Sequence, residues 1–153
     1  MMDGYHNKPQ ETARSRWTDS SGRTWQRSGD LGRMDEDGFV ILLDRMKDMI
    51  ISGGFNIYCS NLEAVLAQHP VVRDCAVIGI PSAEWGETAL VVRAPAPAIT
   101  ADELKAWANE RLGKLQRLSA VEFRDELPRS TIGKLLKREL REPYWQQAGK
   151  RIA

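Results

Sequence analysis

Two four-residue segments constrain this chain more than any other feature. Ser60-Asn61-Leu62-Glu63 and Thr100-Ala101-Asp102-Glu103 each set a hydroxyl three residues before a glutamate, the reciprocal capping pattern that opens a helix. Apolar residues continue one face after each start. Leu62, Val65 and Leu66 lead to a stop at Pro70, and Leu104, Trp107, Ala108 and Leu112 line the second helix. β-Branched runs at residues 71–80 and 87–94 read as strands, the second ended by Pro95 and Pro97. Val121-Glu122-Phe123 reads as a short strand, residues 127–133 as a loop and residues 134–141 as a terminal helix. Strands interleaved with helices predict an α/β (α+β) domain of two layers, a short sheet with helices packed on it.

The N-terminal part reads differently. Residues 1–24 are polar, with turn formers at Gly4, Pro9 and Gly22, and predict loop rather than core. Residues 24–45 read as strand, turn, strand, with the turn over residues 35–38. The charged run Asp44-Arg45-Met46-Lys47-Asp48 then interrupts the apolar pattern, as a surface crossing between two packed units does. The expected division is therefore residues 1–44 and residues 45–153. Beyond it, Ser52-Gly53-Gly54 requires a tight turn, because glycine alone takes positive φ without strain.

Length and composition narrow the function classes. A chain of 153 residues can bury about two-thirds of its unfolded surface, enough for an independent core. The net charge of +1 is not the electrostatic footprint of a nucleic-acid binder. It is unevenly distributed: residues 1–44 hold six basic and eight acidic groups, and residues 45–153 hold sixteen and thirteen. Cys59 and Cys75 are not spaced as a metal or redox pair, and Cys75 sits in an apolar run as a reduced thiol. No segment resembles a signal peptide or reaches transmembrane length, so a reducing cytoplasmic setting is expected.

Three segments, taken in order, resemble one family. WQRSGDLGRMDEDGFVILLDRMKDMIISGGFNIYCSNLE resembles the paired core motifs of acyl-adenylate-forming enzymes, above all the AMP-forming acyl-CoA synthetases. HPVVRDCAVIGIPSAEWGE is similar to the segment that follows them, and LPRSTIGKLLKREL to the final motif, a Pro-Arg loop carrying Gly-Lys. The opening MDGYHNKPQET resembles the end of the family's large N-terminal domain. The resemblance covers nearly the whole chain. It implies a C-terminal lid domain over residues 45–153, preceded by a remnant of the large adenylating domain. That domain's phosphate loop and most of its carboxylate pocket are not among these residues, so the chain by itself is expected to be inactive.

The resemblance also assigns residues. Asp30 matches the ribose-binding aspartate, although a Gly-Asp pair also satisfies turn amides. Arg45 matches the arginine near ribose and phosphates, with a surface ion pair to Asp44 or Asp48 as the plain reading. Lys47 aligns with the hinge, whose backbone absorbs the rotation of one domain on another. Gly53 and Gly54 match glycines lining the pantetheine channel, and would serve equally in any hairpin. Trp85 matches an aromatic near CoA, or else caps a sheet edge. Lys134 matches the catalytic lysine. It does not belong to a phosphate loop of the form GxxxxGK[ST], because Pro128 and Leu135 stand at required positions. Two departures stand out: Cys59 replaces a proline, and Leu115-Gln116-Arg117-Leu118 replaces a tyrosine-lysine-x-proline pattern, with Arg117 able to restore the lost charge.

The reaction so implied has two steps. A carboxylate attacks the α-phosphate of ATP to give acyl-AMP and pyrophosphate. CoA then displaces AMP to give a fatty or related acyl-CoA. ATP/AMP, CoA and Mg²⁺ are the expected cofactors, and the large N-terminal domain the expected partner. A carrier-protein-loading adenylation domain and a free-standing interaction module are the alternatives.

Overall fold

The computed structural model describes residues 3–93 and 99–149. The break expected at Pro95 and Pro97, and the last residue of the strand before it, lie outside the described residues. The chain divides into two compact units, Met1–Leu42 and Leu43–Ala153.

The first unit carries helix α1 (Pro9–Arg14) and hairpin β1 (Arg16–Thr18) with β2 (Thr24–Gln26). Strand β3 (Asp30–Met34) then pairs with β4 (Val40–Arg45), which runs on into the second unit. Residues 1–24 are thus not all loop, as composition predicts. Pro9 opens α1 at a position where its missing N–H costs nothing. The β1–β2 hairpin is organised by one carboxylate. Asp19 Oδ1 accepts from Ser21 N, Ser21 Oγ and Arg23 N at 3.0, 2.6 and 3.0 Å, and Oδ2 accepts from Trp25 Nε1 at 2.7 Å. Polar side chains here replace apolar burial, which a reading of hydrophobicity passes over. The turn at residues 35–38 forms as expected: Asp35 Oδ1 accepts from Asp37 N and Phe39 N, and Gly38 takes φ 87°.

The second unit is built on a five-stranded sheet. Strand β5 (Ile50–Ser52) and β6 (Phe55–Ile57) form a hairpin around Gly53-Gly54. Helix α2 (Cys59–Leu66) follows, then β7 (Cys75–Ser82), β8 (Gly86–Arg93), α3 (Ala101–Arg111), β9 (Leu118–Phe123) and α4 (Lys137–Gln147). Strand β8 is central. β7 pairs antiparallel along one edge, while β9, parallel, and the tip of β5 share the other. Alternation along the strands sends Val77, Ala89, Val91 and Leu118 toward Leu62, Leu66, Leu104 and Ala108 of α2 and α3. It sends Ala76, Ile78 and Leu90 the other way, under Leu127 and Leu140. The layer pair of helices on sheet is therefore present, and α4 covers the second face, held by a bond from Trp145 Nε1 to Gly79 O at 3.1 Å.

The capping box at Thr100 is formed in full: Glu103 N donates to Thr100 Oγ1, and Thr100 N to Glu103 Oε2. The one expected at Ser60 is not. Helix α2 starts two residues earlier, behind Tyr58, with no side-chain cap. Ser60 Oγ instead donates to Leu43 O at 2.5 Å, and Glu63 Oε1 accepts from Val77 N at 2.8 Å. Both side chains tie α2 to other elements. The terminal helix likewise begins at Lys137 rather than at residue 134, because Lys134 is bound into the preceding loop.

Four donors hold the Asp19 carboxyl at about 2, well below its usual 3.8, with the Ser21 hydroxyl the largest cause. A depressed folded value means that its contribution is complete above the unfolded value and is lost as pH falls through the folded one. An NMR pH titration of the Trp25 indole N–H should therefore show a midpoint near 2. A midpoint at the ordinary aspartate value would show that these bonds do not form.

Candidate functional site

The loop between β9 and α4 is a tight, cross-braced turn. Arg129 and Leu135 pair as a β-bridge. Ser130 N donates to Lys134 O and Gly133 N to Ser130 O, each at 2.8 Å, and Lys134 N donates to Ser130 Oγ at 3.1 Å. Gly133 adopts φ 78°, a conformation that a side chain would strain. Arg129 fastens the turn, donating from Nη1 to Gly133 O at 2.8 Å and from Nη2 to Asp74 Oδ2 at 2.5 Å. The result is an exposed Lys134 side chain on a backbone with few ways to move.

Residues 45–49 form a second turn beside it, with Asp48 N and Met49 N both donating to Arg45 O at 3.0 and 3.1 Å. Together the two turns and the start of α4 line a cleft of about 710 Å³. Arg45, Lys47 and Lys134 all line it, so Lys134 is brought to the same cleft as two residues from a distant part of the sequence. Lys137, Arg138 and Arg141 line it as well, against a single acidic lining residue, Asp48. Such a surface concentrates anions.

Lys137 and Arg141 differ from the other cations that line the cleft. Both are largely buried. Lys137 Nζ contacts Glu63 Oε1 at 2.8 Å, and Arg141 Nη1 donates to Lys47 O at 2.7 Å. Burial pulls the Lys137 ammonium down, and the Glu63 and Asp44 carboxylates pull it back up. Burial pushes the Cys59 thiol up to about 12, so it remains a neutral donor, to Asp48 O at 2.9 Å. The signal for these roles was the spacing of residues 137 and 141, one helical turn apart on the face that also buries Leu140.

A second cleft, of about 450 Å³, lies beside the β5–β6 hairpin. Trp85 lines it with Ser52, Phe55, Lys114, Leu115 and Arg117 among others. Gly53 and Gly54 take φ 56° and 82°, and Gly53 N donates to Trp85 O at 2.8 Å. A Cβ on Gly53 would stand 2.9 Å from Trp85 Cε3, whereas one on Gly54 would meet nothing within 4 Å. Gly53 and Trp85 therefore form one group, and Lys114 and Arg117 line the same cleft as Trp85, Arg117 coming from the stretch that departs from the family pattern. Asp30 stands in the first unit, exposed at the start of β3, its N–H donating to Ser28 Oγ at 3.1 Å.

Among the described residues, no group of three or more His, Cys, Asp or Glu could hold a metal ion, and no helix is long and apolar enough to cross a membrane.

An α/β domain of this kind, helices packed on a small sheet, matches the C-terminal domains of adenylate-forming enzymes. Residues 61–134 match the family model of the AMP-binding enzyme C-terminal domain, and the chain belongs to that family. A feruloyl-CoA synthase of Amycolatopsis sp is 43% identical over 146 residues, covering 94% of this chain and 29% of the relative. Among solved structures, ATP-bound MatB from Rhodopseudomonas palustris superposes with a TM-score of 0.78 at 38% identity, over 93% of this chain and 28% of that one. An o-succinylbenzoate CoA synthetase from Bacillus subtilis, in complex with its acyl-adenylate intermediate, gives 0.79 at 36% identity, over 92% and 28%. The chain thus spans under a third of the relatives it matches.

Replacing Gly53 by Ala should cost roughly 1–2 kcal/mol for the left-handed backbone alone, with a further loss from the displaced Trp85 ring. Gly54→Ala carries the strain without the clash, so its loss should be the smaller. Thermal denaturation of both variants beside tryptophan fluorescence measures this. Equal losses, with Trp85 undisturbed, would show that the ring does not rest on Gly53.

Proposed function

We propose that this chain acts as the lid of an ATP-dependent acid–CoA ligase, serving acyl-AMP formation with one cleft and acyl-CoA formation with the other. The convergence of Arg45, Lys47 and Lys134 on one cation-rich cleft carries this reading. Similar structures, one with ATP bound and one with an acyl-adenylate, support ATP and acyl-AMP as the species concerned. The relatives named as feruloyl-CoA and long-chain-fatty-acid–CoA ligases support CoA as acceptor.

In the first step an oxygen of the substrate carboxylate bonds to the α-phosphorus, and the bond to pyrophosphate breaks. Negative charge gathers where carboxylate and α-phosphate meet. The Lys134 ammonium, on a loop too braced to collapse away, neutralises it most at the transition state. Asp30 accepts hydrogen bonds from the ribose hydroxyls, a charge-assisted contact, and Arg45 faces ribose and phosphates. In the second step the CoA sulfur attacks the acyl carbonyl and AMP leaves. Pantetheine passes the bare backbone of Gly53 and Gly54, with Trp85 beside it and Arg117 available to a CoA phosphate. Lys47 is the pivot between the two arrangements. Mg²⁺ would travel with ATP through phosphate oxygens and water.

The partner in this scheme is a large adenylating domain, to which residues 1–44 belong. Met34, Phe39, Val40 and Leu42 are strongly exposed, apolar surface of the kind a covering domain removes from water. The thiols of Cys59 and Cys75 suit a reducing cytoplasm. The chain alone should make no acyl-CoA.

The test joins this chain to the large domain of a related ligase. Lys134→Ala should lower adenylation by about 10²–10³-fold, read as pyrophosphate exchange, and spare single-turnover thioester formation from supplied acyl-AMP. Gly54→Leu should do the reverse, obstructing thioester formation with adenylation retained. Similar losses in both steps for either variant would assign that residue to stability alone.

A further inference from the structure

The segment that crosses into the second unit is gripped from two helices. Upstream, Ser60 of α2 donates from Oγ to Leu43 O and from its N–H to Asp44 Oδ2, at 2.5 and 3.2 Å. Downstream, Cys59 donates to Asp48 O, and Arg141 of α4 donates to Lys47 O at 2.7 Å. Among the described residues Lys47 O has no other donor.

The Arg141 grip is an expensive one. The residue is 8% exposed, and its Nε is buried without an acceptor. Its nearest carboxylate contact is loose, Nη2 to Asp48 Oδ1 at 3.8 Å, in place of the two parallel bonds a guanidinium makes with a well-placed acid. A half-buried Glu87, bonded to Ile51 N, adds a second negative charge nearby. Replacing both members of a buried ion pair with apolar side chains is often neutral or stabilising, so a buried contact this loose is weak evidence of a stabilising role. Stability alone therefore does not explain a guanidinium here, and its well-formed bond is the one to a backbone carbonyl.

We propose that Arg141 is a positioning residue that fastens the Lys47–Asp48 peptide to the lid, so that the swing between half-reactions is confined to the φ and ψ of Lys47 and the torsions before it. The proposal rests on the reading of Lys47 as hinge and adds what makes it one. A carbonyl anchored to α4 makes its whole peptide plane part of the lid, because a peptide unit is rigid. Torsion about the two bonds of the Lys47 Cα then turns the chain upstream against the lid once the Ser60 bonds to Leu43 and Asp44 are released. Without the anchor, the torsions of Asp48 and Met49 join in and the pivot becomes diffuse. Lys134 lies in the loop that leads directly into α4, and Arg141 is in that helix. The same short element thus sets the distance from the catalytic ammonium to the pivot.

The first measurement is amide hydrogen exchange on the chain. Arg141→Met should speed exchange of the Asp48 and Met49 amides by about tenfold, the loss of one charged hydrogen bond, and leave those of Val77, Val91 and Leu104 unchanged. Uniform acceleration, or none, overturns the proposal. Should Arg141→Met not fold, Arg141→Lys decides. A single ammonium reaching Lys47 O should expose the same two amides to a smaller extent, and an unaltered pattern counts against the anchor.

The second measurement uses the chain joined to a large adenylating domain, and follows the share of acyl-AMP released to solution instead of passed to CoA. A diffuse pivot should raise that share several-fold in Arg141→Met, with Arg141→Lys between. Lys47→Pro in the same enzyme separates the two ideas. If it unbalances the half-reactions while Arg141→Met leaves release unchanged, the anchor falls and the hinge stands. If it leaves them balanced, the hinge falls and takes the anchor's role with it, whatever the exchange shows.

Discussion

Strand β8 is buried on both faces at Ala89, Leu90 and Val91 and paired on both edges, and the rest of the second unit follows from that. Its parallel neighbour β9 cannot be reached by a tight turn, so the chain must cross over, and α3 makes the crossing on the face already holding α2. The opposite face, with Ala76, Ile78 and Leu90, would then lie open to water. Chain downstream of β9 covers it. Helix α4 does so through Leu140, and the loop that carries Lys134 is the connection that brings α4 there. The candidate catalytic group thus sits where the topology requires a connection, and Leu127, buried at the start of the loop, fixes its departure from the core.

Much of this architecture was legible in the sequence where its causes are local. Thr100 and Glu103 satisfy each other, so the pattern predicts the helix correctly. Gly53-Gly54 need positive φ, and only a turn uses it. The same pattern at Ser60 and Glu63 misled, because their partners lie 17 residues upstream at Leu43 and 14 downstream at Val77. A capping box is a competition between near and distant partners, and sequence shows only the near ones. Residues 1–24 misled in the opposite direction: a single carboxylate, Asp19, orders a hairpin with hardly any apolar burial.

The candidate site was legible in kind but not in place. Resemblance singled out Arg45, Lys47 and Lys134; nothing in their spacing brings them to one cleft, which depends on α4 returning across the sheet. Lys137 and Arg141 carry the same formal charge as Lys134, so charge counting cannot separate them. Burial does. A buried cation must be matched by fixed acceptors, and Glu63, Asp48 and the Lys47 carbonyl supply them. Lys134, exposed on the turn, keeps its ammonium turned to solvent and available to a ligand.

A further consequence lies in how the two clefts are connected. The glycine hairpin begins at Ile50, which is fully buried in the core, and pairs through Ser52 with Gly86 next to Trp85. The Lys134 loop is tied through Arg129 to Asp74, immediately before β7. Both clefts are thus fastened to the same packed sheet, and close-packed interiors do not deform by the distances that would carry one cleft to the place of the other. If the two serve successive steps at one reacting centre, the whole unit must turn. The freedom to turn must then reside in residues outside the core. Arg45, Met46 and Lys47 are exposed, and Ile50 is fully buried only three residues further on. The interval in which a pivot can exist is that short, and a carbonyl held by a buried arginine marks its downstream end.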